Sequence, residues 1–345
     1  MNLLFIGNHF TDNQNNRNIW HDLSTQLCHA GHKVLITSRH KNKFLRLADM
    51  LVTVWRKKEK YELAEIDVFS GYAFIWAYLS GRLLKFIGKP FVLTLHGGNL
   101  PEFSKQHSAL VQQLMGRASA VVVPSGYLLE AMQPYRKDIK LIPNAIDIDC
   151  YPSIEKDTLK PYLIWLRAFH QIYNPELAIR VLALLKEECP SARLIMIGPD
   201  KGDGSLERTR NLVKSLMLTD SVEFPGRVSK SEVPAYLNKG GIFINTTNFD
   251  NTPISVIEAM ACGLCIVTTN VGGIPYLVED GKEALLVPPN DSKAMAAAIT
   301  RILREPDLAE RLNTNARKKA EQFDWSIILP QWQDLFTELF EKSNN

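Results

Sequence analysis

At 345 residues, with 46% apolar and 22% charged residues, the chain is long enough for two ordinary domains and apolar enough to bury their cores. A net charge of only +3 argues against a dedicated nucleic-acid binder. Five cysteines (28, 150, 189, 262 and 265) form no paired framework, as expected in a reducing cytoplasm and not in a disulfide-stapled secreted domain.

The opening run NLLFIG (2–7) reads as a buried strand. It has no basic segment before it and no cleavage site, so it does not read as a signal peptide. The helical stretch RNIWHDLSTQLCHAG (17–31) closes on a glycine, and KVLITS (33–38) follows as a second strand. Residues 39–60 carry eight basic and two acidic side chains interleaved with Phe44, Leu45, Leu47, Leu51, Val54 and Trp55. Two readings stand side by side: an amphipathic segment lying on an anionic membrane surface, or a core-facing helix with a solvated basic face. The region 71–95 is the most hydrophobic, but Arg82, Lys85 and Lys89 interrupt it before any membrane-length span. FVLTL (91–95), AVVVP (120–124) and IKLIP (139–143) complete the strands of the first half.

After a polar, aperiodic join (150–161) the plan repeats, with strands at YLIWL (162–166), ARLIMIG (192–198), SVEFPG (221–226), GIFINT (241–246), CIVTT (265–269) and ALLVP (284–288). CGLC (262–265) has redox spacing but straddles a helix end, and both its cysteines read as packing residues. The last stretch, 323–340, is apolar at helical spacing, and Pro330 is expected to kink or break it. Continuous apolar strands alternating with helices predict an α/β protein of two doubly wound parallel sheets. The expected domains are 1–153 and 154–329, with a final helix over 330–345 returning to the first.

In such sheets ligands bind beyond the carboxyl ends of the strands. Three polar segments follow strands in this way: LHGGN (95–99), IGPDKGDG (197–204) and NTTNFDNTP (245–253). The third opens a helix, with Pro253 in its first turn, Thr252 or Asn251 as cap and Gly263 at its end. The N–H groups near Pro253, Ile254 and Ser255 then form an anion site suited to phosphate. Glu258, further along the helix, suits the vicinal hydroxyls of a ribose, and Asp250 precedes the helix where a group attached to the phosphate would lie. A sugar nucleotide offers ribose, diphosphate and sugar in that order.

The D-x7-E pattern from Asp250 to Glu258, set in NTPISVIEAMACG and followed by TTNVGGIPYLVEDGKEALLVPP (268–289), resembles the E-x7-E region of family-4 retaining glycosyltransferases. AGHKVLITS (30–38), LTLHGGN (93–99), VVVPSGYL (121–128), IPNAID (142–147), VEFPGRVS (222–229) and FDW (323–325) fall in the family's order, so the resemblance covers essentially the whole chain. It implies a GT-B fold, two Rossmann-like domains facing a cleft, the first for the acceptor and the second for the donor. It implies transfer of a sugar from a nucleotide-diphosphate donor to a glycan or lipid-linked acceptor hydroxyl, in cell-surface polysaccharide or glycolipid synthesis. Carried over, Glu258 binds the nucleotide ribose and Asp250 takes the first-carboxylate position near the transferred sugar. His96 matches the active-site His, and Arg167 matches the Arg that neutralises the leaving diphosphate. Gly97 and Gly98 allow close approach of the backbone, and Gly226 and Val228 border the base. No cofactor and no metal are implied: DID (147–149) lies near the interdomain join and reads as structural. The expected location is the cytoplasm, with peripheral contact at the inner face of the membrane through 39–60.

Two departures stand out. The first carboxylate is Asp250, where the family more often has Glu. Many members also carry a Lys five or six residues after the Arg, where this chain has Ile172 and Tyr173; His170 or a more distant residue is then left to supply the second cation. The loop 8–18 is also Asn-rich where the family often has glycines. A catalytically weak sugar-nucleotide-binding or scaffold subunit and a sugar-nucleotide epimerase of the same fold are the rival readings. A dinucleotide dehydrogenase is disfavoured, because no G-x-G-x-x-G follows the first strand.

Overall fold

The alternation of apolar runs and helices becomes two parallel sheets in the computed structural model, which describes residues 1–7, 19–38, 40, 42–153 and 159–344. The Asn-rich loop 8–18, Arg39, Lys41 and part of the polar join lie outside the described residues. Contacts divide the chain into a first unit, Met1–Ala145 with Trp325–Asn345, and a second, Ile146–Asp324. The division therefore falls ahead of the expected boundary at 153, and the returning segment begins at Trp325 instead of 330.

In the first unit, strands β1 (Asn2–Ile6), β2 (Lys33–Thr37), β3 (Leu63–Val68), β4 (Phe91–Leu95), β5 (Ala120–Val123) and β6 (Ile139–Leu141) form a sheet in the order β2-β1-β3-β4-β5-β6. Alternate residues enter two apolar clusters, Leu4, Ile66 and Leu93 in one and Leu3, Leu63 and Val92 in the other. Both faces are thus covered, as a parallel sheet requires. The sequence reading missed β3, because Glu65 and Asp67 interrupt its apolar pattern. Both acids are nevertheless buried.

The helix Trp325–Asn344 is continuous through Pro330, so the expected break does not occur. Pro330 is the sixth residue of the helix and lies on its solvent side, and docking of the opposite face offsets the one lost hydrogen bond. That face contributes Trp332, Leu335 and Phe336 to the cluster of Leu3, Phe5 and Leu63.

In the second unit, β7 (Tyr162–Leu166), β8 (Arg193–Ile197), β9 (Val222–Gly226), β10 (Ile242–Asn245), β11 (Cys265–Thr269) and β12 (Ala284–Val287) lie in the order β12-β11-β10-β7-β8-β9. This is the Rossmann order, and its direction reverses between β7 and β10, where a ligand crevice opens in folds of this kind. Cys262 and Cys265 enter different apolar clusters and are unbridged.

The basic segment forms a helix, Lys43–Arg56, that buries Met50, Thr53 and Val54. Its apolar residues do not all turn inward: Phe44 is 85% exposed, and Leu45, Val52 and Trp55 are exposed with it. The neighbouring helix Tyr72–Phe86 exposes Tyr72, Ile75 and Phe86. Lys43 lies over the Tyr72 ring, Arg46 over Trp76, and Trp55 stacks on Phe86 with centroids 6.5 Å apart. Start meets start and end meets end, so the two helices run side by side in the same direction.

Phe336 is fully buried, and truncating it leaves a cavity under the sheet. We expect Phe336→Ala to cost the first unit about 3–5 kcal/mol in denaturant unfolding, while substitution of the exposed Asp334 of the same helix by Ala costs far less.

Candidate functional site

The reversal of strand order in the second unit sets where polar side chains gather. Arg167 is the first residue after β7, and the loop carrying Asp250 follows β10. The two side chains meet there in an ion pair, both largely buried. The guanidinium also lies over the ring of Tyr173, 4.6 Å from its centroid. Burial pulls the Arg167 pKa down from its usual value, with Tyr173 and Glu258 opposing, and an arginine so placed stays charged.

Backbone approach holds this geometry. The Arg167 N–H donates to the Ile197 carbonyl at 3.0 Å, and the Gly198 N–H to the Gly226 carbonyl at 2.9 Å. Any β-carbon on Gly198, at φ +148, would lie 1.9 Å from the Arg167 carbonyl oxygen. Only glycine fits. On the other side, the Gly273 N–H donates to the Asp250 carbonyl at 2.9 Å, and β-carbons on Gly272 and Gly273 would strike the carbonyls of Asp250 and Asn251. The VGG segment after β11 thus clamps the loop that presents Asp250, a role the sequence reading did not assign to it.

The helix after β10 spans Ile254–Ala261, and Pro253 takes the cap position in place of the expected Thr252 or Asn251. Its leading N–H groups belong to Ile254 and Ser255. The Ser255 hydroxyl is buried and has no hydrogen-bond partner among the described residues. A buried, unpartnered hydroxyl at a helix N-terminus is suited to receiving an anion. Glu258, one face of the helix further on, is buried and accepts a 2.6 Å hydrogen bond from the Tyr151 hydroxyl. Burial and the neighbouring Glu258 carboxylate push the Tyr151 pKa up, so it remains a phenol donor. Gly226 ends β9 at φ +77, and Val228 packs against the apolar cluster beneath.

His170 does not supply the second cation at this point. Its Nδ1 accepts the Ile172 N–H at 3.2 Å, and its Nε2 is 3.9 Å from Asp203.

His96, Gly97 and Gly98 lie in the first unit, directly after β4. The His96 ring is buried, stacks on Phe69 with centroids 5.2 Å apart and has Nε2 3.3 Å from Asp67 Oδ1. Glu65 accepts a 2.6 Å hydrogen bond from the Thr94 hydroxyl. Burial raises both carboxyls well above the usual range, and the Asp67 charge raises Glu65 further. Burial lowers His96 to about 3. His96 also lines a small hollow with Thr94, Pro124, Ile142 and Trp332. Asp67, Tyr151 and Tyr173 were not singled out from the sequence as site residues. Of these, Tyr173 alone gave a signal, as the residue standing at a position where the family often has Lys.

Two six-stranded doubly wound parallel sheets with flanking helices are the build of a GT-B protein. The chain matches the model described as Glycosyltransferase Family 4 over residues 17–150 and that described as Glycosyl transferases group 1 over 152–319, and it belongs to the family-4 glycosyltransferases. It is 36% identical over 151 residues to WcaL of Salmonella typhimurium, a protein assigned to colanic acid biosynthesis as a glycosyltransferase; the match covers 41% of this chain and 36% of that one. The chain thus spans about a third of that relative's length. It is 25% identical over 320 residues to N-acetyl-alpha-D-glucosaminyl L-malate synthase of Bacillus anthracis, covering 87% of this chain and 81% of that one. Among solved structures it shares the fold of the sucrose-phosphate synthase of Thermosynechococcus elongatus (TM-score 0.80, 20% identity, 99% of each chain). It likewise shares the fold of Anabaena HepE in complex with UDP and glucose (TM-score 0.80, 19% identity, 98% of this chain and 100% of that one).

The depressed His96 pKa has a sign that can be checked. As pH falls below about 6.5 the unfolded chain protonates His96, but the folded chain does so only near 3, so stability is lost on acidification. His96→Gln removes this penalty. Relative to the parent it should gain up to about 2 kcal/mol between pH 7.5 and pH 5 in denaturant melts.

Proposed function

We propose that the chain is a retaining glycosyltransferase that moves a sugar from a nucleotide-diphosphate donor to a hydroxyl of a glycan or lipid-linked acceptor, in cell-surface polysaccharide or glycolipid synthesis. The observation that carries this reading is the convergence, at one switch point, of the Arg167 guanidinium, the Asp250 carboxylate, the unpartnered Ser255 hydroxyl and the buried Glu258. HepE, which has the same fold, was solved with UDP-glucose, and WcaL is assigned to colanic acid biosynthesis; both support the donor and product classes.

In this reading Glu258 accepts from the ribose hydroxyls, and the amides of Pro253-capped residues Ile254 and Ser255 hold the diphosphate beside Arg167. Asp250 contacts the transferred sugar, Thr252 borders the phosphate, and Gly226 and Val228 border the base. The bond between anomeric carbon and diphosphate oxygen breaks with its electron pair passing to the phosphate. The acceptor oxygen bonds to the same face of that carbon, and its proton passes to the leaving phosphate. Negative charge grows on the diphosphate during this step, and a preorganised guanidinium and helix terminus stabilise it more in the transition state than in the ground state. No metal or cofactor enters the scheme.

The enzyme is proposed to work in the cytoplasm, resting on the inner face of the membrane. Among the described residues no helix is long and apolar enough to cross a bilayer. The adjoining helices Lys43–Arg56 and Tyr72–Phe86 instead expose aromatic residues, with Phe86 79% and Tyr72 72% accessible, amid Lys43, Arg56, Lys57, Lys58 and Lys85. Aromatic ridges rimmed by cations suit an anionic lipid interface. The purely core-facing reading of 39–60 leaves the exposed Phe44 and Trp55 without a role.

Incubation with a panel of sugar nucleotides and a lipid-linked acceptor, with the product linkage assigned by NMR, checks the reaction. We expect a retained anomer, and a loss of rate of at least about a hundredfold in Arg167→Ala. An inverted anomer rules the mechanism out, and donor conversion without acceptor points to an epimerase. Separately, neutralising Arg56, Lys57, Lys58 and Lys60 should weaken co-sedimentation of the full chain with phosphatidylglycerol vesicles by about 1 kcal/mol per cation removed. Binding that is unchanged by these substitutions refutes the membrane contact.

A further inference from the structure

The residues after Arg167 form a turn that is tied to the loop after β10 by several hydrogen bonds. The Ile172 carbonyl accepts from the Asn248 N–H at 2.7 Å and from the Thr247 hydroxyl at 3.2 Å. The Tyr173 carbonyl accepts from the Thr246 hydroxyl at 2.8 Å, and that hydroxyl in turn accepts the Trp165 indole N–H at 2.9 Å. The Tyr173 ring packs against the apolar cluster containing Trp165 and Phe169, and His170 meets it edge-on with centroids 6.3 Å apart. The ring is therefore held on several sides, and its remaining face lies under Arg167.

We propose that Tyr173 is a positioning residue for Arg167: its ring holds the guanidinium in the plane in which it meets the donor diphosphate, at a place where the family often uses a second cation. The proposal rests on the donor-site reading given above. A planar guanidinium stacks on an aromatic face, and the attraction is strongest when the cation is desolvated, as the largely buried Arg167 side chain is. Stacking occupies only the face of the group. All its N–H donors point outward in the plane, where carboxylate or phosphate oxygens accept them.

A lysine in place of Tyr173 would behave differently. It would set a second positive charge against Arg167 and would offer no surface to fix the plane. It would also draw on the same counter-ions, Asp250 and Glu258. With tyrosine the orientation of Arg167 is set by packing before any ligand arrives. Orientation prepared in advance is worth most to a group that must stabilise charge as it develops.

The test uses the full chain with UDP, ADP and GDP as probes in titration calorimetry, together with the Arg167 Nε–H resonance in NMR. Tyr173→Phe keeps the ring and should bind the preferred nucleotide within about twofold of the parent, whereas Tyr173→Leu should lose about tenfold. The ring-current shift of the Arg167 Nε–H should persist in the Phe variant and vanish in the Leu variant. Equal binding by the Leu variant and the parent overturns the proposal, as does a loss in the Phe variant as large as that in Leu. Arg167→Ala separates the two levels of the argument. If it abolishes binding while Tyr173→Leu does not, the positioning role alone falls. If the parent binds none of the three nucleotides, or binds them as Arg167→Ala does, the donor-site reading falls and the proposal with it.

Discussion

A guanidinium at the carboxyl end of a buried parallel sheet must be partnered on every side, and most of the second unit's local structure follows from how Arg167 is served. Its counter-ion is Asp250, its support is the Tyr173 ring, and its own backbone is locked to β8 through the Ile197 carbonyl. Each partner brings further conditions. Gly198 has no β-carbon because the Arg167 carbonyl is there, and Gly272–Gly273 have none because the Asp250 loop passes over them. The turn at 171–173 is bonded to residues 246–248 so that ring and carboxylate keep station together. The cost of burying one charge is thus spread through glycine placement and loop hydrogen bonds across four strands.

The first unit places a different kind of polar group at the equivalent end of its sheet. Glu65, Asp67, Thr94 and His96 continue the face that begins with Leu63 and Val92, so an apolar surface turns polar within one or two residues as it reaches the strand ends. Burial favours neutral acids and a neutral imidazole here, and Glu65 accepts a hydrogen bond from the Thr94 hydroxyl. The two sheets therefore solve the same problem, a polar site at the edge of an apolar layer, by opposite electrostatic means.

Much of this was legible from residue order. Apolar runs such as FVLTL and RLIMI are long enough and sufficiently bounded that their strand character survives any tertiary context, and the helix opening near Pro253 announced itself through Pro, Ser and a later Gly. What escaped depended on distance in sequence. Tyr151 reaches Glu258 across 107 positions, and no local pattern encodes such a meeting. β3 escaped for a different reason: two carboxyls in six residues read as a surface segment until the neighbouring strands bury them. Pro330 misled because the local cost of proline in a helix is outweighed here by burial of the opposite face, which a local rule does not count.

The helix Trp325–Asn344 belongs to the first unit although the whole of the second lies between them in the chain. During synthesis the strands carrying Leu3, Phe5 and Leu63 emerge early, yet the aromatic residues that share their cluster are made last. For the time it takes to translate the intervening residues, one face of that sheet waits without its covering helix. Such a nascent intermediate presents sticky surface while the downstream unit is free to finish, which makes chaperone protection and ribosome proximity matter more for the first-made half than for the second.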